Sequence, residues 1–388
     1  MREREKVAQA KDVLHDENKE VKEMKKRRLT ALLMAGVMAF GMMACGSSGE
    51  DKSSGKDAAK EEDAGEEKIP LKISHHPYLH GLPSIYAEKN GLYDKFDYTI
   101  DMYAGGPVQN EAIASGAWEV GTTGIGGAVL GCPTYNMKVI GFACNDTSAL
   151  DIWVRPDSDL AKKDPDEKGV RGTAEDWKGK KILCQTGTTC HMTLVAMLEH
   201  LGLTADDVEI IDTAVAQSYA AFKAGEADVV CLWSPFGYQA EDDEGWVKAA
   251  GAKELGLQIP TLIVATEDAV KNRPEVVQQW LEAYLKAVEG MREDPTATAE
   301  LLYDFEEQEG ITMTEEAAER DIETREFPTL EENKAAFATD ENGNSEALEI
   351  LLGFADFMIG QGKLTEADKQ LMIDNGAIDG SFISKINF

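Results

Sequence analysis

GGPVQNEAIASGAWEVGTTGIGG, residues 105–127, holds two strand-to-helix turns and decides how the rest of the chain is read. Gly105-Gly106 stands ahead of Pro107, which puts a proline at the first helical position and leaves the helix N-terminus open. That helix runs through Ala114. Val120–Thr122 is a short strand, and Gly124-Ile125-Gly126-Gly127 opens a second helix of small residues. Outward in both directions, short apolar runs alternate with amphipathic stretches, the pattern of βα units on mostly parallel sheets.

Upstream, Leu71–Ser74 reads as a strand, Leu82–Lys89 as a helix closed by Asn90-Gly91, and Tyr98–Tyr103 as a strand. Downstream, Val139–Ala143 and Leu150–Val154 are strands. Pro156–Lys178 turns polar and charged, marking a boundary. A second series follows: strand Ile182–Cys184, turn Gly187-Thr188-Thr189, helix His191–Leu201, strand Val208–Ile211, helix Tyr219–Ala224 and strand Val229–Trp233. Leu262–Ala265 is the last strand. Beyond Arg273-Pro274 the pattern is helical, with Val277, Trp280, Leu281, Tyr284, Leu285 and Val288 at spacings of three and four. Thr314–Arg320 and Ser345–Gly360 are further helices.

The N-terminal region reads differently. Lys25-Lys26-Arg27-Arg28, an apolar run from Leu29 to Met43 and Ala44-Cys45-Gly46 have the order of a secretory signal peptide. The run is shorter than the roughly 20 apolar residues of a membrane span. The cysteine at the cut resembles the lipobox of bacterial lipoproteins, with Met42 where that pattern usually has Leu, and the resemblance implies acylation of Cys45. Met24 is read as the start of translation. Residues 1–44 are therefore an extension plus signal peptide. Residues 45–68 are a lipidated flexible tether, too polar to fold by burial.

The chain carries 39 Lys+Arg against 71 Asp+Glu; residues 1–44 hold 10 and 7 of these, leaving 29 against 64 beyond, a net of −35. Nucleic acid needs clustered cations and is excluded as a partner by such a field. Five cysteines follow Cys45: Cys132, Cys144, Cys184, Cys190 and Cys231. An odd count leaves at least one unpaired within the chain, while Cys184 and Cys190 flank a turn and are a possible pair. No nucleophile-and-base motif, no metal-ligand spacing and no phosphate loop is present, so neither catalysis, a metal nor a cofactor is expected.

What recurs is a strand ending in a Gly/Thr turn that opens a helix, at Gly105-Gly106, Thr122-Thr123-Gly124 and Gly187-Thr188-Thr189. Ligands of open α/β sheets sit at such carboxyl ends, where helix N-H groups and a partial positive charge suit a small anion or zwitterion.

The 105–127 stretch, Lys181-Ile182 with GTTCHMTLVAMLEHLGL, and AAFKAGEADVVCLWSP together resemble the nitrate/sulfonate/taurine class of ABC-transporter substrate-binding proteins, over Leu71–Ile263. The resemblance implies a two-lobe α/β fold of the type II periplasmic-binding-protein kind. Its lobes would be residues 69–155 with 259–388, and 156–258, joined through Leu150–Val154 and Thr261–Val264. It further implies a small-molecule ligand, ABC permease and ATPase partners, and an extracytoplasmic, lipid-anchored monomer.

Carried over residue by residue, His75, His76 and Tyr78 face the cleft, Thr122, Thr123 and Gly124 form a second ligand turn, and Thr188 and Thr189 hold the anionic head. Trp233 packs on the ligand's body, and Asn145 and Asp146 lie at the same edge. Bland alternatives stay open: a threonine at a helix start can be a plain cap, Trp233 a core plug, and the histidines solvated turn residues. A pyrimidine-precursor (thiamine-related) binding protein or a fold-related enzyme is an alternative that the resemblance leaves open, and His75, His76, His80 and His191 could also serve metal uptake. Arg155 is the nearest arginine to the expected cleft.

Overall fold

In the computed structural model, which describes residues 67–388, the chain builds two five-stranded sheets of the same order. The expectations for the signal peptide, the start at Met24, Cys45 and the tether up to residue 66 lie outside the described residues. β1 (Ile69–His75), β2 (Phe96–Met102), β3 (Val120–Gly124), β4 (Lys138–Asn145) and β10 (Pro260–Ala265) form the first sheet in the order β2-β1-β3-β10-β4. β5 (Leu150–Val154), β6 (Lys181–Cys184), β7 (Glu209–Asp212), β8 (Val229–Trp233) and β9 (Val247–Gly251) form the second in the order β7-β6-β8-β5-β9.

In each sheet four strands run one way and one, β10 or β5, runs against both neighbours. The odd strand in each case is the one that enters from the other half. These are the mostly parallel sheets expected, and their composition follows position. VIGFAC in β4 and TLIVA in β10 are nearly continuous apolar runs because both faces are covered, whereas the edge strand β2 alternates exposed residues with buried or half-buried ones. Leu150–Val154 pairs with β8 and β9, so the sheets divide within Asp146–Ala149 rather than after residue 155. The return passage follows Gly251.

The helices that position the site are α1 (Leu82–Lys89), α2 (Gly106–Ile113), α3 (Ile125–Tyr135), α4 (Thr189–His200), α5 (Val215–Lys223) and α6 (Phe236–Asp242). After β10 come α7 (Pro274–Glu293), α8 (Pro295–Gln308), α9 (Glu315–Thr324), α10 (Leu330–Phe337), α11 (Glu346–Gly360) and α12 (Glu366–Asp374). The apolar stripe of α7 is buried as its spacing requires, against α1. α11 and α12 pack on α3, and α10 on β4, so the C-terminal helices clothe the first lobe. α6, β9, α8, α10 and α12 were not anticipated. No helix among the described residues is long and apolar enough to cross a membrane.

Candidate functional site

The three glycine-rich turns converge. A cleft with about 660 Å³ of empty space, its mouth included, is lined by Gly105, Gly106 and Pro107 at the start of α2, Gly124, Gly126 and Gly127 at the start of α3, and Gly187, Thr188 and Thr189 at the start of α4. None of these three starts has a side-chain cap. Their first-turn N-H groups therefore remain for a ligand.

Glycine is required here by packing. A Cβ on Gly106 would stand 2.6 Å from Gly127 Cα, and one on Gly127 2.5 Å from Thr123 Oγ1, so α2 and α3 begin in direct backbone contact. A Cβ on Gly126 would meet the Gly187 carbonyl at 3.0 Å, which shows that the lobes touch across the cleft. Gly187 itself has φ +74°, a left-handed turn that glycine adopts without strain. Its N-H donates to His191 Nδ1 at 3.3 Å.

His76, Tyr78, Gly124, Asp146, Thr188, Thr189 and Trp233, all expected at the site, line this cleft. Tyr78 and Trp233 meet edge to face at 6.0 Å and form an aromatic wall. Thr188 Oγ1 donates to the Gln185 carbonyl at 2.7 Å, pinning the turn.

Four other expected residues do not line it. His75 is fully buried behind the cleft: Thr122 Oγ1 gives its proton to the His80 carbonyl (3.2 Å) and so accepts from His75 Nδ1 (2.7 Å), leaving His75 Nε2 to accept from Ser84 Oγ (2.7 Å). Burial and the neighbouring His76 push its pKa down to about 3, so it is a neutral structural imidazole. Thr122 belongs to that same network, which physically excludes it from the surface. Thr123 is buried against the glycine contact, its Oγ1 without a partner among the described residues. Asn145 is exposed on another groove, its Oδ1 accepting from the Thr147 N-H at 3.0 Å.

His76 Nε2 donates to Gln109 Oε1 at 3.0 Å, while Gln109 Nε2 donates to Ser74 Oγ and the Thr122 carbonyl. Burial pushes the pKa of His76 down to about 4 against the opposing effect of that bond. His191 faces Phe357 and does not join the cleft. Among the described residues, no group of three or more His, Cys, Asp or Glu side chains is placed to hold a metal ion. The five cysteines among the described residues are buried and not paired with one another, Cys184 and Cys190 included.

Sequence reasoning missed Arg325, just past α9. Its guanidinium, 3% exposed, donates from Nε (3.1 Å) and Nη2 (2.5 Å) to Asp146 Oδ1, and from Nη1 to Asp321 Oδ2 and Ser234 Oγ, each at 2.7 Å. Asp321 Oδ1 in turn accepts from Tyr238 Oη at 2.9 Å. The network ties the C-terminal helices, the inter-sheet passage and the second lobe together. Its members lie 179 residues apart along the chain, and no local pattern announces it. Glu306 is buried nearby; burial and Asp321 push its pKa well up, so it is neutral, and both its oxygens lack partners among the described residues.

Arg155, the arginine expected nearest the cleft, instead donates to the Phe222 and Ala227 carbonyls and lies 4.4 Å over the Phe222 ring. Arg155→Leu is expected to cost about 1–2 kcal/mol of stability and leave ligand affinity unchanged. Urea unfolding beside a binding titration checks both halves of that statement.

Comparison with known proteins bears on this cleft. The NMT1/THI5 like family matches residues 165–298. An ABC transporter periplasmic binding protein of Brachyspira hyodysenteriae is 30% identical over 323 residues, covering 81% of this chain and 89% of that one. Among solved structures, the alkanesulfonate-binding protein SsuA of Xanthomonas axonopodis pv. citri bound to MOPS superposes with a TM-score of 0.63 at 19% identity, over 81% of this chain and 99% of that one. The periplasmic nitrate-binding protein NrtA of Synechocystis PCC 6803 gives a TM-score of 0.64 at 15% identity, over 82% and 88%. The likeness to both solved structures is one of fold.

Proposed function

Because this chain belongs to the ABC-transporter periplasmic binding proteins, we propose that its cleft captures a small organic anion or zwitterion of the sulfonate, taurine or nitrate kind and delivers it to a membrane permease driven by an ATPase. The observation that carries the reading is the convergence of three uncapped, glycine-rich helix starts on one cleft. Each such start contributes about 0.3–1 kcal/mol toward an anion at an exposed site and more where water is excluded. Charge alone would not select among anions, so the aromatic wall of Tyr78 and Trp233 supplies shape.

Closure fits the same reading. The lobes are joined by two short passages, and a hinge at Asp146–Ala149 and beyond Gly251 lets them part for entry and meet over the ligand. The protein works outside the cytoplasm as a monomer held by lipid at Cys45. This lets one molecule return repeatedly to the same permease.

Titration calorimetry against alkanesulfonates, taurine, nitrate and pyrimidine precursors of thiamine tests the proposal. Silence across the whole panel overturns it. Trp233→Ala is expected to weaken binding of whichever ligand responds by about 10- to 100-fold. Affinity equal to the parent's would remove Trp233 from the site.

A further inference from the structure

We propose that Arg325 and His80 read a second polar group on the ligand, one that accepts hydrogen bonds, while the ligand's anionic head takes the glycine-rich helix starts. This rests on the binding function proposed above and narrows the substrate to anions with an acceptor at their far end.

Four of the five N-H groups of Arg325 are committed, two to Asp146, one to Asp321 and one to Ser234. The fifth, on Nη2, has no partner among the described residues, and Arg325 lines the cleft. With two carboxylates already balancing it, the guanidinium offers one directed donor and no free charge. It therefore reads a single acceptor atom instead of clamping an oxyanion with two parallel bonds.

His80 supplies the independent observation. The residue is 3% exposed, lines the same cleft, and neither ring nitrogen has a hydrogen-bond partner among the described residues. Tyr284 Oη and Thr122 Oγ1 bond only its backbone carbonyl. The groups that face the ring are His76, edge to face at 5.2 Å, Tyr78 at 6.3 Å, the Arg325 guanidinium and the neutral His75 imidazole. Burial and these neighbours hold it neutral, with one N-H to give. Two buried donors without acceptors are costly until a ligand provides one.

An ammonium tail is the opposite case. It would bring a second positive charge and more donors to this corner. Its acceptors would be the bare ring nitrogen of the neutral His80 and Asp146, whose Oδ1 is already held by Arg325, and its charge would stand beside the guanidinium.

Four two-carbon sulfonates that differ only in the tail test this: sulfoacetate, isethionate, ethanesulfonate and taurine. Calorimetry on the parent protein is expected to give sulfoacetate and isethionate at least about tenfold tighter binding than ethanesulfonate and taurine, the worth of one or two rescued hydrogen bonds. Arg325→Met and His80→Leu are each expected to flatten that series, bringing the sulfoacetate-to-ethanesulfonate affinity ratio toward one whatever the cost in overall affinity, whereas a loss of fold lowers all four affinities by the same factor. Taurine binding as tightly as sulfoacetate, or a tail preference that survives in His80→Leu and Arg325→Met, overturns the inference alone. Failure of all four sulfonates, with another class in the wider panel binding, overturns the head-group assignment and this inference together.

Discussion

Gly127→Val is expected to lower the unfolding free energy by about 3 kcal/mol and to remove measurable ligand binding. Its Cβ would stand 2.5 Å from Thr123 Oγ1 and 2.9 Å from Gly106 Cα, and backbone cannot yield as a flexible side-chain end can. The starts of α2 and α3 would have to separate, which spreads the N-H groups that meet the anion. Gly124→Ala, three residues away, is the internal control. Gly124 has φ −65° and a Cβ there meets nothing within 4 Å, so stability is expected to stay within about 0.5 kcal/mol of the parent's. Thermal unfolding and calorimetry on the two variants decide the matter, and a Gly127→Val protein as stable as Gly124→Ala would refute the close packing.

Acid is expected to destabilise the fold through its buried imidazoles. His75 and His76 titrate near 3 and 4 in the folded protein, below the ordinary 6.5, because burial disfavours their charged forms. The unfolded chain therefore takes up protons that the folded one refuses. Stability from these two groups is complete above about pH 6.5 and is lost as the pH falls toward their folded values, about 2 kcal/mol for each by pH 5. Glu306 acts in the opposite direction, since a carboxyl held neutral by burial costs less as the pH falls.

A comparison between chains isolates the imidazole effect. His76→Gln, which keeps a polar group toward Gln109, is expected to lose about 2 kcal/mol less than the parent between pH 7 and pH 5. Urea midpoints at pH 7, 6 and 5 give the slopes. Parallel slopes would mean that His76 is protonated in the folded state.

Much of this architecture could be read from the chain because its signals are local. A proline after Gly105-Gly106, a stripe at spacings of three and four in α7, and apolar runs in β4 and β10 each follow from one element's own environment. The cleft was legible for the same reason: Gly124, Thr188, Thr189 and Trp233 end strands or open helices, and sheet topology brings such ends together. His75 is the last residue of β1 and Thr122 lies two residues from the end of β3, where side chains alternate between faces. Residue type alone does not tell which face is turned to the cleft. Arg325 was out of reach because it is fixed by Asp146 and Ser234 across long separations, a tertiary fact with no periodic trace. The missed helices α8, α10 and α12 do carry local start signals, Asp294 ahead of Pro295 and capping boxes at Thr329 with Glu332 and Thr365 with Asp368, and could have been found from them.

The shared strand order carries a consequence for how the molecule is completed in time. All five strands of the second sheet lie within residues 150–251, so that lobe can close on itself as soon as its own stretch of chain is available. The first sheet cannot. β10 occupies the slot between β3 and β4, and until residue 265 arrives those two strands have no neighbour to join them. A chain emerging N-terminus first thus begins the outer lobe, finishes the inner one, and only then seals the lobe it started. The last strand to dock pairs with Gly124, so the ligand turn is set when the sheet is sealed, and a chain stopped short of β10 carries half a binding site with its edges open.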